Sequence, residues 1–239
     1  KNKNYLFVDG RYTIQSQKES GSNFKIIEIH KKLPHKIIKN CKLGFDPNLF
    51  TTDKLKYYFS NNNELISINE NLIDKIFKNK TKKTKSFFSL PEKIIGESHQ
   101  SKIKKVTNFI KSNRADYLYV SAPENVAWLL NIRGHDNPTS PIPNSRLIID
   151  KDKKLLLITC KKNARKIINE KKIKKNQVID FCKFKEIVEQ LKGSNFMIDN
   201  ISCSVFAEKI IRSKFKIINK EDPIYKLKSI KNSSEIKHM

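Results

Sequence analysis

The stretch WLLNIRGHDNPTSPIPNSRLIID, from Trp128 to Asp150, joins two kinds of secondary structure through an unusually polar turn. Upstream, Pro123 has the fixed φ and missing N–H that suit a first helical position, so a helix is predicted from Glu124 to Asn131. The apolar run stops at Arg133-Gly-His-Asp136, a loop with three prolines follows, and residues 146–150 read as a strand. A helix, a loop and a strand in this order favour an α/β fold.

The polar turn has two interpretations. A guanidinium and a carboxylate three residues apart, at Arg133 and Asp136, can close a tight turn through a charge-assisted hydrogen bond. We expect them to hold the loop or to contact a neighbouring domain, with direct contact to a substrate as the alternative. Trp128, the only tryptophan, is expected in the core, and an edge facing a binding cleft is the alternative.

Outward from this stretch, strands and helices alternate in both directions. The later series contains strands near residues 116–121, 146–150, 155–159, 178–181, 196–199 and 215–218, with helices between most of them. The strands at 146–150 and 155–159 are predicted to form a hairpin, and helices are predicted to start at Ser98, Pro123 and Ser204. The earlier series contains strands near residues 5–8, 24–29, 42–46 and 65–68, with helices at 12–20, 52–60 and 71–77. Residues 79–86 are almost wholly Lys, Thr and Ser, and Pro91 and Gly96 follow, so a linker is predicted over residues 79–96.

The charge of the chain is its most unusual property. The net charge is +25, and 43 of the 49 basic residues are lysines. Clustered positive charge favours phosphate-rich partners, but readers of nucleic acid use arginine where bidentate geometry matters. The lysines are also scattered in short groups, so we expect a solvated surface and consider nucleic acid an unlikely partner. No apolar run reaches the roughly 18 residues of a membrane span, which indicates a soluble, cytoplasmic protein without a membrane partner.

Side chains that could carry chemistry are dispersed. The four cysteines (Cys41, Cys160, Cys182 and Cys203) form no CxxC pair and are expected to be reduced, half-buried thiols. The five histidines have no metal-ligand spacing to carboxylates. No Gly-x-Ser-x-Gly nucleophile motif and no Gly-x-Gly phosphate loop occurs. The sequence therefore predicts neither a catalytic residue nor a metal site in this chain.

Five motifs, in order, resemble the three-domain Xaa-Pro aminopeptidases, or aminopeptidase P, of the creatinase-like "pita-bread" metallopeptidases. They are Phe7-Val-Asp-Gly-Arg-Tyr12 with Gln15, Gly44-Phe-Asp-Pro47, Asn71-Leu-Ile-Asp-Lys-Ile-Phe77, Gly96-Glu-Ser98 with Lys102, and Ala127-Trp-Leu-Leu-Asn-Ile-Arg-Gly-His-Asp136. His135 departs from the small residue usual in that family, so it is a poor candidate for a shared role.

The resemblance implies two creatinase-N-like α/β domains with mixed sheets flanked by helices. Residues 1–78 would be the carboxy-terminal part of domain I, incomplete at its start, residues 79–96 a linker, and residues 97–222 domain II. Residues 223–239 resemble the start of the catalytic domain. In the family that domain holds two divalent metal ions, often manganese, which activate a water.

Asp9 and Arg11 are the remaining site candidates. The resemblance implies that one of them faces the catalytic cleft, across a dimer interface. The competing interpretation is a strand-end turn in which Asp9 caps the following helix and Tyr12 packs into the core.

The sequence thus favours the non-catalytic part of an enzyme that removes the residue before proline from peptides, shaping access to the cleft and helping to form a homodimer. The alternative is a catalytically inactive basic module that binds nucleic acid or an acidic protein.

Overall fold

The computed structural model describes residues 3–59, 62–77 and 85–239. The chain forms two compact units, Lys1–Ile76 and Phe77–Met239. Part of the expected linker, residues 79–84, lies outside the described residues. Its remainder, residues 85–96, packs within the second unit, where Phe87 is fully buried.

The first unit contains parallel strand pairs joined by helices. Its elements are β1 (Tyr5–Val8), α1 (Thr13–Ser20), β2 (Lys25–Glu28), β3 (Lys42–Phe45), α2 (Thr52–Phe59), β4 (Glu64–Ser67) and α3 (Leu72–Ile76). Strand β1 pairs with β2 and β3 with β4, both in parallel. A helix lies between the strands of each pair, because a parallel connection must return the chain to the same end of the sheet. The alternation of strands and helices predicted from the sequence is confirmed here.

The second unit is larger. Its elements are β5 (Phe88–Ser89), α4 (Glu92–Ile95), α5 (His99–Ser112), β6 (Tyr117–Val120), α6 (Pro123–Leu130), β7 (Ile132–Arg133), β8 (Arg146–Asp150), β9 (Leu155–Ile158), α7 (Arg165–Asn169), β10 (Val178–Ile179), α8 (Phe184–Gln190), β11 (Asn195–Ile198), α9 (Val205–Arg212), β12 (Lys216–Asn219), α10 (Pro223–Ser229) and α11 (Ser233–Lys237).

A six-stranded mixed sheet organises this unit, with strand order β10-β9-β8-β6-β11-β12. Strand β6 pairs antiparallel with β8 and parallel with β11, and β8 and β9 form the hairpin that the sequence predicts. The expected α/β class, with a mixed sheet flanked by helices, is confirmed.

Both faces of the sheet are buried, because successive side chains of a strand point to opposite faces. Leu118 and Val120 of β6 join one apolar cluster, together with residues of α5 and α6. Tyr119 of the same strand joins the other cluster, with Phe184 of α8 and Ile211 of α9. The strands therefore read as almost continuous apolar runs, as is typical of sheets covered on both sides.

Three predicted helix starts are confirmed. Ser98 caps α5 by accepting a hydrogen bond from the backbone N–H of Ser101, and Ser204 caps α9 in the same way. Pro123 occupies the first turn of α6. Each serine accepts a hydrogen bond from a backbone N–H that has no partner inside the helix, whereas Pro123 has no N–H that would need one.

The predicted burial of the thiols was wrong. Cys41, Cys160 and Cys182 are exposed, whereas Cys203 is fully buried, and all four are free. Among the described residues, no helix is long and apolar enough to cross a membrane.

A buried polar cluster ties α10 to the rest of the second unit. Asp222, at the start of α10, accepts hydrogen bonds from Asn125 Nδ2 at 2.8 Å and from the backbone N–H of Ile224 at 2.9 Å. Its own backbone N–H donates to Asp199 at 3.1 Å, and Lys228 donates to Asn125 Oδ1. Burial raises the pKa of Asp222 to about 6, and the charge of Asp199 acts in the same direction.

This cluster predicts a pH dependence of stability. Because the pKa of Asp222 is raised above its ordinary value of 3.8, the folded state keeps a proton that the unfolded state loses. The free energy of unfolding should fall, by on the order of 2–3 kcal/mol, as the pH rises from about 4 to about 6. Asp222→Asn should remove this component. Urea unfolding followed by Trp128 fluorescence at several pH values measures it.

Other carboxyl groups also titrate in this range, so the informative quantity is the difference between wild type and variant. Asp152→Asn, at an exposed position, is the control and should retain the wild-type profile. Identical pH profiles for wild type and Asp222→Asn would contradict the assignment.

Candidate functional site

Asn131, the residue after α6, is a fully buried junction. It adopts the left-handed conformation, with φ of 55°, and ends the helix. Its Nδ2 donates to the carbonyl of Glu97 at 2.8 Å, its Oδ1 accepts from Lys102 at 2.8 Å, and its carbonyl accepts from the N–H of Leu90 at 3.1 Å. Asparagine tolerates this conformation better than most residues. The side chain of Asn131 thus joins the end of α6 to α5 and to the segment between α4 and α5, and its backbone carbonyl joins it to the segment before α4.

Lys102 lies on the buried face of α5 and is only 1% exposed. Its Nζ donates to Asn131 Oδ1 and, at 3.1 Å, to the carbonyl of Trp128. It also lies 3.9 Å from the centre of the Trp128 ring, a cation–π contact. Burial lowers the pKa of Lys102 to about 8, and the charge of Glu235 partly offsets this effect. The chain therefore keeps a cation inside the domain, held by neutral oxygens and an aromatic face.

Trp128 is half-buried. Its ring packs against the apolar cluster that includes the helices α5 and α6, as expected for a core residue. Its indole Nε1 is buried and has no hydrogen-bond acceptor among the described residues. Buried donors normally have a partner, so this N–H lacks the acceptor that a buried indole usually has.

Arg133 ends β7, which pairs antiparallel with β5. Its Nη1 donates to the carbonyl of Ile132 at 2.9 Å and to that of Ala127 at 3.5 Å. Burial lowers the pKa of the guanidinium. The pairing of β5 with β7 was not predicted, because two-residue strands have no periodicity to detect.

Asp136 holds the proline-rich loop from within. Its carboxylate accepts from the backbone N–H of Asn144 at 2.6 Å and from Asn163 Nδ2 at 3.1 Å. The predicted charge-assisted pair between Arg133 and Asp136 was wrong: in the part of the chain that the structure describes, they form no ion pair with each other. Each finds partners closer to its own backbone.

Gly134 lets the same loop turn back tightly. Its N–H donates to the carbonyl of Pro141 at 3.0 Å. A Cβ at this position would lie 2.7 Å from the Cα of Pro143, closer than such atoms approach. The neighbouring His135 stacks on Phe88 of β5, with ring centres 5.1 Å apart. The loop is therefore a closely packed corner.

A cavity of about 280 Å³ opens beside this corner. Trp128, Lys102 and Arg133 contribute to its wall, and α11 closes one side with Glu235. Helix α11 is held against α4 by hydrogen bonds from Asn232 Nδ2 to the carbonyl of Ile95 and from Ser234 to that of Lys93, both at 2.8 Å. Of the sequence candidates, Trp128 and Arg133 meet at this cavity, and Asp136 is engaged in the loop.

Asp9 and Arg11 lie in the first unit. Their side chains form an exposed ion pair at 2.8 Å, and Asp9 also caps the short 3₁₀ turn that follows β1. The hydrogen bonds and charge of Arg11 lower the pKa of Asp9. Asp9 therefore caps this turn and not the predicted helix, α1, which has no side-chain cap. The expected core position of Tyr12 was wrong, since that residue is 50% exposed.

Lys102 and Asn131 were not recognised as site residues from the sequence. A signal existed for Lys102: it precedes Val106 by four positions and follows His99 by three, so all three side chains lie on one face of α5. That face is buried, His99 included. A lysine on an otherwise apolar helix face indicates a buried cation that needs partners.

Among the described residues, no group of three or more His, Cys, Asp and Glu side chains could hold a metal ion. What the geometry provides is a closely packed corner and a cavity whose wall carries the cations Lys102, Arg133 and Lys231.

The architecture defines the class of protein: an α/β domain built on a six-stranded mixed sheet, preceded by a smaller α/β unit. Residues 78–235 match the family model of the Creatinase/Prolidase N-terminal domain. The chain belongs to this family.

Relatives align along almost the whole chain. Xaa-Pro aminopeptidase 1 of Dictyostelium discoideum is 29% identical over 260 aligned positions, which cover 98% of this chain and 40% of the relative. Aminopeptidase P2 of Arabidopsis thaliana is 25% identical, covering all of this chain and 40% of the relative. The chain thus spans about 40% of the length of these relatives.

A solved structure has the same fold. The X-prolyl aminopeptidase of Caenorhabditis elegans, described as a cytosolic enzyme with a di-nuclear active site, superposes with a TM-score of 0.78 at 20% identity. The superposition covers 98% of this chain and 41% of that protein.

Asn131 supplies a first test of the site. In Asn131→Ala, Lys102 loses an acceptor while it stays buried, and alanine must adopt the left-handed conformation. We expect a loss of about 2–4 kcal/mol in the free energy of unfolding, measured by urea denaturation. The matched variant Asn131→Gly removes the side chain without the backbone strain and should recover about 1 kcal/mol of that loss. Full recovery in Asn131→Gly would show that the contact with Lys102 contributes nothing.

Gly134 supplies a second test. Gly134→Ala introduces a Cβ against Pro143, so we expect a loss of about 1–3 kcal/mol, seen as a lower unfolding temperature of the second unit by calorimetry. Gly10→Ala is the control, because the nearest atom to its Cβ would be His30 Cε1 at 3.7 Å. An effect of Gly134→Ala no larger than that of the control would rule out a closely packed corner.

Proposed function

We propose that this chain is the non-catalytic amino-terminal portion of a Xaa-Pro aminopeptidase. The parent enzyme would remove the residue that precedes proline from the start of a peptide, using two divalent metal ions, most suitably manganese. The observation that carries the proposal is the alignment of 98% of the chain with 40% of a Xaa-Pro aminopeptidase, combined with membership of an N-terminal domain family.

Within the parent, residues 1–78 and 97–222 would act as domains I and II, with residues 79–96 as their linker and residues 223–239 as the entry to the catalytic domain. We assign them to shaping access to the cleft and to forming a homodimer. The half-buried Arg133 and Trp128 are the candidates for bordering the cleft, Asp136 for holding the loop that positions them, and the exposed Asp9–Arg11 pair for a contact between subunits. The fixed loop supports this role, because a rigid border excludes substrates by shape.

The metal ions would be bound outside residues 1–239, and a cytoplasmic location is proposed by analogy with the nematode enzyme. The scattered lysines support a solvated surface over a nucleic-acid site. Several of them pair with local carboxylates, such as Lys151 with Asp116 and Lys105 with Glu97, both at 2.8 Å.

The direct test is a hydrolysis assay with purified residues 1–239, manganese and a short peptide with proline in second position. We expect no release of the first residue, since the described residues hold no metal cluster. The full-length Dictyostelium relative serves as the positive control for the assay. Hydrolysis by residues 1–239 that requires manganese and stops with a chelator would refute the non-catalytic assignment.

Titration of the same sample with a short DNA duplex distinguishes the alternative of a basic binding module. A nucleic-acid protein would bind tightly and lose affinity steeply with salt, in proportion to the phosphates contacted. We expect weak binding with a shallow salt dependence.

A further inference from the structure

The wall of the cavity beside α6 carries three cations, Lys102, Arg133 and Lys231, and one carboxylate, Glu235. The charge of Arg133 lowers the pKa of Lys102. Among the described residues, neither forms an ion pair with a carboxylate. Buried or half-buried charges in proteins are normally paired, whereas the wall of this cavity carries more cations than carboxylates.

The acidic groups near this cavity are engaged elsewhere. Glu97 pairs with Lys105 at 2.8 Å and accepts from Ser101. Glu235 accepts from the backbone N–H of Asn232 at 3.0 Å in the capping box of α11. The charges of both raise the pKa of Lys102. Within the described residues, neither carboxylate forms an ion pair with Arg133.

Arg133 retains donors for such a group. Its Nη1 is directed to two backbone carbonyls, whereas Nε and Nη2 have no hydrogen-bond acceptor among the described residues. The planar fork of a guanidinium matches a carboxylate through two parallel hydrogen bonds. The ring of Trp128 lies on the same wall.

The rest of the wall has an apolar part and a polar part. The apolar part consists of Leu90, Ile94, Ile95 and Met239 with the ring of Trp128, and the polar part of Asn131, Lys231, Glu235 and His238. A short hydrocarbon tail would be buried against the apolar part of this wall, whereas phosphate has no apolar group that could cover it. At about 280 Å³ the cavity lies at the small end of ligand sites.

We infer that this cavity binds a small apolar carboxylate, with Arg133 holding the carboxylate, Trp128 and the apolar wall covering the tail, and Lys102 supplying positive charge beneath. The site would lie in the second unit itself and does not depend on the aminopeptidase assignment. A free apolar amino-acid analogue and the carboxyl end of a short peptide share this chemistry.

The test uses residues 1–239 and the probe isocaproate, with its uncharged amide isocaproamide and inorganic phosphate as matched ligands. Trp128 is the only tryptophan, so its fluorescence reports on the cavity, and isothermal titration provides an independent measurement. We expect saturable binding of isocaproate and none of the amide or phosphate over the same concentration range. Absence of saturable binding in both measurements, or equal binding of the amide or of phosphate, would overturn the inference.

The decisive variants are Arg133→Gln and its control Arg165→Gln, which lose the same charge from the chain. Arg165 is exposed on α7. Loss of a charged, two-point hydrogen bond should weaken isocaproate binding by about tenfold or more in Arg133→Gln, and Arg165→Gln should bind as wild type. Unchanged affinity in Arg133→Gln would overturn the assignment.

Circular dichroism establishes that the variants fold. Arg133→Lys keeps the charge but loses the fork, and should bind isocaproate several-fold more weakly than wild type. If Arg133→Gln does not fold, the inference is tested by the affinity of Arg133→Lys for isocaproate and by the comparison of isocaproate with isocaproamide on the wild-type chain.

Discussion

The buried side chain of Asn131 is the contact on which the second unit depends. Its amide donates to Glu97 and accepts from Lys102, while its backbone carbonyl accepts from Leu90. Leu90, Glu97 and Lys102 therefore meet at one residue in the left-handed conformation, 29 or more positions further along the chain. The same turn ends α6 and directs the chain into β7, so the position of Arg133 follows from it. The corner and the cavity are both consequences of how this helix ends.

The cation of Lys102 explains why such a junction is polar in the middle of an apolar cluster. A lysine in this position loses most of its hydration, which is why the pKa falls to about 8. Two oxygens and the Trp128 ring replace the lost water. A buried charge of this kind contributes less to stability than an apolar residue of similar volume would, but it fixes which groups can face it. Lys102 thereby selects the orientation of Trp128.

Much of the fold could be predicted from the sequence because it rests on local patterns. The apolar runs at residues 146–150 and 155–159 identify a hairpin, and Ser98, Pro123 and Ser204 mark helix starts. Strands β5 and β7 could not be predicted, since each has two residues and exists only through pairing with the other. Similarly, Phe87 reads as part of a polar linker, yet it is fully buried because distant segments cover it.

The candidate site could be predicted only in part. The sequence identified Arg133, Asp136 and Trp128, but it joined the first two in an ion pair. A separation of three residues permits that pair without requiring it, and the loop offers Asp136 a backbone N–H at 2.6 Å. A carboxylate that accepts from its own loop needs no long side chain to be ordered, so it loses less conformational entropy. Arg133 is thereby left without an acidic partner.

The packing of α11 against α4 depends on Gly96. Gly96 adopts φ of 77°, and a Cβ there would lie 2.5 Å from Asn232 Oδ1. Glycine at the end of α4 therefore allows Asn232 to reach the carbonyl of Ile95 while it also caps α11. Residues 232–234 are held by backbone groups of α4, which do not change with the side chains around them. Since the same helix brings Glu235 to the cavity wall, the geometry of the cavity depends on a glycine that touches no ligand.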